Sequence, residues 1–176
     1  MMILGLDPGT SATGFGSVLF DNGCLHLDRC GVWRPPDRLT LAAKLDFLSG
    51  KLLALLEELR PAAVSVETVF AAKNVASTVK LAHARGVLLA AAAHFEIPVF
   101  EYEPRLVKKA IVGYGHAEKP QVRSMVLTLL ARHRDRVPLD AADALAVAIC
   151  HAHASPAAPD RGARSLPLAS RRVSAK

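Results

Sequence analysis

The chain has 176 residues, of which 51% are hydrophobic, and this suits one domain with its own buried core. Its 22 lysines and arginines exceed 16 acidic residues, and the net charge of +6 favours a polyanionic partner such as nucleic acid. Three cysteines without a C-x-x-C pair argue against a disulfide framework or zinc site, and without a secretory signal or membrane-length apolar run we expect a soluble, cytoplasmic protein.

The first three predicted elements are strands. MILGLD (2–7) has the pattern of a buried strand, GFGSVLF (14–20) of a second, and CLHLDRCGVW (24–33) of a third. Asp21-Asn22-Gly23 is typical of a hairpin turn, so the second and third strands should pair directly.

Helices and single strands then alternate. Leucines at helical spacing predict a helix over 38–60 that Pro61 ends. The later elements are a strand at 62–67, an Ala-rich helix from Asn74 to about Phe95, a strand at 97–102, and helices over 104–113, 120–130 and 139–153.

This order predicts an α/β domain with a five-stranded mixed sheet flanked by helices. Strands 1–3 should be antiparallel, and βα crossovers should set strands 4 and 5 parallel to strand 1. We assign residues 1–153 to this domain. Residues 154–176 carry basic residues and prolines without periodicity, and we expect them to form a disordered basic tail.

Carboxylates stand where strands 1 and 4 end. Asp7 follows ILGL and Glu67 follows VSV, so both lie at carboxyl ends, where open α/β sheets place ligands. The residues that precede each carboxylate on the same face of its strand are mostly small, which leaves room for a closely packed helix. The Ala-rich helix at 139–148 is a candidate, and its Asp140 and Asp143 share one side.

Four converging carboxylates require cations, because like charges in a low dielectric raise each other's pKa. Hard oxygen ligands suit Mg²⁺ or Mn²⁺, and such a cluster can hold two ions for attack on a phosphodiester. Each residue also has an ordinary interpretation. Asp7 can be a turn former, Glu67 a salt-bridge partner, and Asp140 a helix N-cap with Asp143 as its neighbour.

Several longer segments carry a family resemblance: ILGLDPGTSATGFG, VETVFAAKNVASTVKLAHARG, VFEY, VKKAIVGYGHAEKPQV and DAADALAVAICHAH. In order and spacing, over residues 2–153, they resemble the bacterial RuvC Holliday-junction resolvases. The resemblance implies a ribonuclease-H-like fold and a homodimeric, Mg²⁺-dependent endodeoxyribonuclease of DNA recombination and repair. Such an enzyme makes paired, symmetric nicks in four-way junction DNA, and its family partners are the branch-migration proteins RuvA and RuvB.

By the same resemblance, Asp7, Glu67, Asp140 and Asp143 bind two Mg²⁺ ions, with Mn²⁺ as a substitute. Lys108 and Lys119 match basic residues near the scissile region, although lysines on a helix are usually just solvated. The helix over 74–94 matches the dimer-forming element, although its apolar stripe is equally typical of a buried core helix. Phe70 matches an aromatic at the branch point, although a core phenylalanine is its ordinary alternative. Lys73, Lys80 and Arg85 are further candidates for contacts with the DNA backbone.

Thr68 and His116 depart from the family pattern, beside Glu67 and in the loop before Lys119. His151 and His153 have two interpretations, as outer groups around the carboxylates or as surface residues. Three rival functions remain open. They are a sugar-kinase or actin-like ATPase with a similar D-x-G-T hairpin, a ribonuclease-H-like nuclease acting on RNA, and a junction-binding protein without catalysis.

Overall fold

The computed structural model describes residues 1–68, 75–131 and 136–155. Its strands are β1 (Met2–Asp7), β2 (Thr13–Asp21), β3 (Cys24–Trp33), β4 (Ala63–Glu67) and β5 (Val99–Tyr102). Its helices are α1 (Leu41–Leu59), α2 (Val75–His94), α3 (Pro104–Val112), α4 (Lys119–Leu129) and α5 (Leu139–Ala154). The predicted Asn74 cap and the tail beyond Ser155 lie outside the described residues.

The five strands form one sheet in the order β3-β2-β1-β4-β5. β1 and β3 each pair with β2 antiparallel, whereas β4 runs parallel to β1 and β5 parallel to β4. The predicted sheet is therefore confirmed. It follows that β1, β3, β4 and β5 all end at the same edge, and β2 begins there.

Local chemistry sets most element boundaries. Asn22 and Gly23 both have positive φ, at 46° and 80°, which is the conformation that a tight hairpin needs. The helix predicted over 38–60 begins later, at Leu41, because the Thr40 side chain accepts a hydrogen bond from the Ala43 N–H and caps it. Gly113 ends α3 with a φ of 93°, as predicted for its position.

Helix α5 packs on one face of the sheet through glycines. A Cβ added at Gly5 would lie 2.0 Å from the Ala144 carbonyl oxygen, and one at Gly14 only 1.9 Å from that of Asp140. The missing side chains let the helix backbone touch β1 and β2 directly. This contact fixes the start of α5 above the end of β1.

The opposite face is covered by α1 and α2. Leu4, Leu6, Val64 and Val66 of the two central strands are buried there, against a leucine stripe of α1 and the buried side of α2. Both faces of the central strands are thus apolar, as expected for a sheet between helix layers. Among the described residues, no helix is long and apolar enough to cross a membrane.

Candidate active site

Asp7 and Glu67 end adjacent parallel strands. Leu6 of β1 is in register with Val66 of β4, so the two carboxylates follow side by side at the sheet edge. Hydrogen bonds from the Thr68 amide (2.9 Å) and hydroxyl (3.4 Å) to the Tyr102 carbonyl continue the ladder just beyond Glu67.

Helix α5 brings the two aspartates to this edge. Pro138 occupies the N-cap position, which Asp140 was considered for, and Asp140 instead lies in the first turn. Asp143 lines a cleft together with Asp7 and Glu67. Asp140 lies one turn earlier, near enough to Asp7 to contribute to its raised pKa. Carboxylates from three separate elements therefore meet, as the sequence analysis anticipated.

Two lysines line the same cleft from the side of β5. Lys108 comes from α3, and Lys119 is the first residue of α4, where Pro120 and a capping box around Glu118 and Gln121 fix the start of the helix. Lys119 Nζ donates a hydrogen bond of 2.6 Å to Asp143 Oδ2. Apolar side chains of the three helices form the floor of the cleft: Pro104, Val107, Val122, Ala146 and Val147.

The cleft stabilises protons on its carboxylates. Burial, and then the charges of Asp143 and Glu67, raise the pKa of Asp7 to about 7, although Lys119 opposes this. Burial and Asp143 also raise the pKa of Glu67, whereas Lys119 and Lys108 lower it. The hydrogen bond to Asp143 raises the pKa of Lys119. All three pKa values are raised, which indicates a negative cluster that its own lysines only partly neutralise.

The donor set fits a hard divalent cation. The carboxylates offer only oxygen ligands, and a cation would relieve the repulsion that raises the pKa of Asp7. In the parts of the chain that the structure describes, however, no three carboxylate, histidine or cysteine side chains are close enough to hold one ion. Two of the four carboxylates are paired with basic side chains instead, Asp143 with Lys119 and Asp140 with Arg34.

Arg34 is the residue at this site that the sequence analysis missed. It follows β3 directly, and its Nη2 lies 3.4 Å from Asp140 Oδ2. The available signal was topological. A strand joined to β2 by a hairpin must run parallel to β1, so the residue after it reaches the edge where Asp7 lies.

The predicted DNA contacts have different surroundings. Phe70 and Lys73 lie outside the described residues. Lys80 is exposed on α2 and lines an open groove with the turn between β1 and β2, at residues 9–12. Arg85 is mostly buried, with 19% of its side chain exposed, and forms an ion pair with Glu101 of β5. Its charge is therefore already engaged within the protein, which weakens the case for a DNA contact.

The two histidines of α5 do not reach the carboxylates. His151 lies about three turns beyond Asp140, is buried, and forms a 2.6 Å hydrogen bond through Nδ1 with the Tyr102 hydroxyl. His153 is exposed further along the helix, and His116 is exposed in the loop before α4. His151 therefore joins the end of α5 to β5 rather than serving as an outer group of the cluster.

Comparisons with known proteins point to one family. The family model described as crossover junction endodeoxyribonuclease RuvC matches residues 3–151. The protein of that name from Pelotomaculum thermopropionicum is 44% identical over 153 residues, which are 87% of this chain and 93% of that relative. The solved Thermus thermophilus RuvC in complex with Holliday junction substrate is 33% identical with a TM-score of 0.81, covering 86% of this chain and 93% of that one.

A more distant neighbour shares the fold alone. The yeast mitochondrial Holliday junction resolvase is 11% identical with a TM-score of 0.60, covering 85% of this chain and 78% of that one. Together with the Thermus thermophilus structure, it confirms the predicted ribonuclease-H-like architecture.

Proposed function

The chain belongs to the RuvC family of crossover junction endodeoxyribonucleases, and from this premise we propose that it resolves four-way DNA junctions by paired, symmetric nicks. The observation that carries the proposal is the cleft where Asp7, Glu67 and Asp143 meet beside Lys108 and Lys119. Carboxylates that can bind a divalent cation, beside ammonium groups that can bind a phosphate, are what metal-dependent phosphodiester hydrolysis requires.

We assign Asp7, Glu67, Asp140 and Asp143 as the ligands of two Mg²⁺ ions, with Mn²⁺ as a substitute. When bound, such ions supply an activated water and stabilise the departing 3′ oxygen. The fold holds the four carboxylates in position. β1 and β4 hold Asp7 and Glu67 side by side, and the glycine contacts below α5 keep its two aspartates over them.

Lys119 and Lys108 bind the phosphate in this mechanism. An ammonium in a partly buried cleft stabilises the negative charge that builds on the transferred group more strongly than it would in bulk water. The capping box fixes the backbone of Lys119 at the start of α4, and its Nζ contacts Asp143. The apolar floor of the cleft limits water on that side.

We further propose a homodimer, since symmetric nicks need two sites. Helix α2 supports this, because its side away from α1 is exposed and carries small or apolar residues: Val79, Ala82, Gly86, Ala90 and Ala93. Phe70, Lys73 and Lys80 are proposed junction contacts, and RuvA and RuvB are proposed partners in the cytoplasm. The tail, with its basic residues, would add affinity for DNA that falls with salt.

Cleavage of synthetic substrates tests the activity. An end-labelled four-way junction, a linear duplex and an RNA–DNA hybrid are each incubated with the protein in Mg²⁺, Mn²⁺ or EDTA. Paired, metal-dependent nicks in the junction alone are expected. Tight binding to the junction without cutting in either metal indicates a non-catalytic binding protein, and cleavage of the hybrid indicates a nuclease acting on RNA.

A further inference from the structure

We propose that Arg34 contacts the substrate, binding a DNA backbone phosphate on the β3 side of the carboxylates. The inference deepens the proposed function and rests on it. The cations assigned so far, Lys108 and Lys119, line the cleft from α3 and α4, beyond β5. Arg34 stands on the other side of the carboxylates, because β3 and β5 are the two outermost strands of the sheet, on opposite sides of β1.

The fold carries Arg34 to the catalytic edge. β3 pairs with β2 so that Trp33 lies opposite Thr13 and Val32 opposite Gly14, while Gly14 itself lies opposite Asp7. The residue after Trp33 is therefore just beyond the sheet, two strands from Asp7. The contact with Asp140 confirms the proximity, since its 3.4 Å separation joins residues 106 positions apart in the chain.

The backbone at Arg34 is anchored on both sides. Trp33 stacks on Phe15 of β2 with ring centroids 4.6 Å apart. Pro35 is buried, and Pro36 accepts a backbone hydrogen bond from Leu39, which closes the turn that leads to α1. Because proline fixes φ, the arginine projects from a restrained segment rather than from a free loop.

Stability does not account for this placement. The Arg34 side chain is 60% exposed, and its contact with Asp140 is long for a hydrogen bond. Exposed ion pairs of this kind contribute little to folding stability. A guanidinium carries several donors in a planar fork that matches phosphate oxygens, and the contact with Asp140 uses one nitrogen.

The role proposed for Asp140 also allows Arg34 to exchange its contact with this carboxylate for one with a DNA phosphate. Asp140 is a proposed metal ligand, so with a cation at this site the Asp140 charge would be neutralised and would no longer hold Arg34. The guanidinium then faces solvent beside the carboxylates with donors available, and a backbone that crosses the cleft meets a cation on each side. This arrangement would orient the strand across the carboxylates, rather than hold it from one side alone.

The test compares Arg34→Gln and Arg34→Lys with Arg60→Gln. Arg60 is exposed at the end of α1, just before β4 begins. This control therefore removes the same charge at the end of the sheet that lies away from the carboxylates. Junction affinity is measured over a range of salt concentrations in Ca²⁺, which takes the same kind of oxygen ligands as Mg²⁺ and would compete with Arg34 for Asp140. Single-turnover cleavage is measured in Mg²⁺, and thermal unfolding checks that every variant folds.

We expect Arg34→Gln to reduce the magnitude of the salt slope by about one and to slow cleavage about tenfold. Arg34→Lys keeps the charge but not the planar fork, so it should keep the wild-type salt slope and cleave at an intermediate rate. Arg60→Gln should match the wild type. An unchanged salt slope in Arg34→Gln overturns the inference even if cleavage slows, because Arg34 would then act only through Asp140. If the wild type binds junctions but cuts nothing, the proposed function fails, whereas the salt slopes still test Arg34.

Discussion

Lys119 and Asp143 form the shortest link between the basic and acidic parts of the cleft, with Nζ 2.6 Å from Oδ2. The pair joins the first turn of α4 to the first turns of α5. Asp143 is a proposed metal ligand and Lys119 a proposed phosphate ligand, so the contact sets two roles in competition. A divalent cation must share Asp143 with the ammonium or displace it.

Replacement of this lysine should therefore separate metal binding from catalysis. We expect Lys119→Gln to bind Mn²⁺ more tightly than the wild type in the absence of DNA, because a competing positive charge is removed. Cleavage should nevertheless fall by about 10²–10³-fold, since a group that stabilises the transition state is lost. Calorimetric Mn²⁺ titration and single-turnover cleavage measure the two effects. Lys51→Gln, on the exposed side of α1, is the control, and weaker Mn²⁺ binding in Lys119→Gln would contradict the competition.

Asp7→Asn should abolish cutting while junction binding persists. The change removes one charge from the carboxylate cluster but leaves the basic residues around it untouched, so metal binding weakens and DNA affinity does not. We expect cleavage to fall by about 10³-fold or more, by analogy with the loss of other key electrostatic groups. Gel-shift binding in EDTA and cleavage in Mg²⁺ are compared with Asp46→Asn, an exposed position on α1. Loss of binding together with cleavage would count against this division of roles.

The raised pKa of Asp7 should make the metal-free protein less stable as the pH rises. In the folded state its pKa is about 7, whereas in the unfolded chain the carboxyl is ionised above about pH 4. Folding therefore takes up a proton between these values, and the free energy of unfolding falls as pH rises through this window. Glu67, whose pKa is also raised, adds to the effect in the same direction.

Urea unfolding in EDTA at pH 5.5 and 8 measures this dependence. Between these two pH values, the change in the free energy of unfolding should be smaller in Asp7→Asn than in the wild type, by an amount on the order of 2 kcal/mol. Other titrating groups, including buried His151 with its lowered pKa, are present in both proteins and cancel in the comparison. Equal pH dependence in the wild type and the variant would show that the Asp7 carboxyl is not buried among acids as described.

Gly14→Ala should disturb α5 and with it the active site. The added Cβ would lie 1.9 Å from the Asp140 carbonyl oxygen, so helix and strand must separate. We expect a loss of about 1–3 kcal/mol in unfolding free energy and strongly reduced cleavage. Gly50→Ala is the matched control, because that glycine lies within α1 with nothing within 4 Å, and alanine there should stabilise the protein by about 0.5–1 kcal/mol. A neutral Gly14→Ala would refute the close contact.

Gly86→Glu should prevent dimer formation without unfolding the subunit. Nothing lies within 4 Å of a Cβ at this exposed position on α2, so the monomer has space for the side chain. A carboxylate in an apolar helix contact loses its hydration, and we expect the dissociation constant to rise by at least about tenfold. Size-exclusion chromatography coupled to light scattering measures the molar mass of the protein in solution. Gly50→Glu on α1 is the control. If both variants keep the mass of the wild-type dimer, α2 is not the contact.

Much of the architecture follows from local rules that the sequence states directly. Asn22-Gly23 predicts the hairpin, Pro61 and Gly113 end helices, and the register of the small residues behind Asp7 predicts a close helix. These features depend on residues near one another in the chain, where dihedral preferences and side-chain periodicity act. The positions of Asp7 and Glu67 at the ends of their strands follow for the same reason, whereas the pairing of those two strands follows from the predicted topology.

The partners of individual charged and polar side chains could not be predicted, because they come from distant parts of the chain. Arg85 has the charge of a DNA contact, but the neighbouring strand supplies Glu101 as its partner. His151 follows the carboxylate helix closely in sequence, yet helical rise carries it to Tyr102.

The sequence by itself determined the strands, the helices and the acids at the strand ends, because these depend on periodicity and turn chemistry over a few residues. Only the tertiary structure decided which charges face one another, such as Arg34 with Asp140 and Lys119 with Asp143. The reason is physical. The direction and energy of an ion pair depend on distance and burial, which are properties of packed elements and not of any one segment.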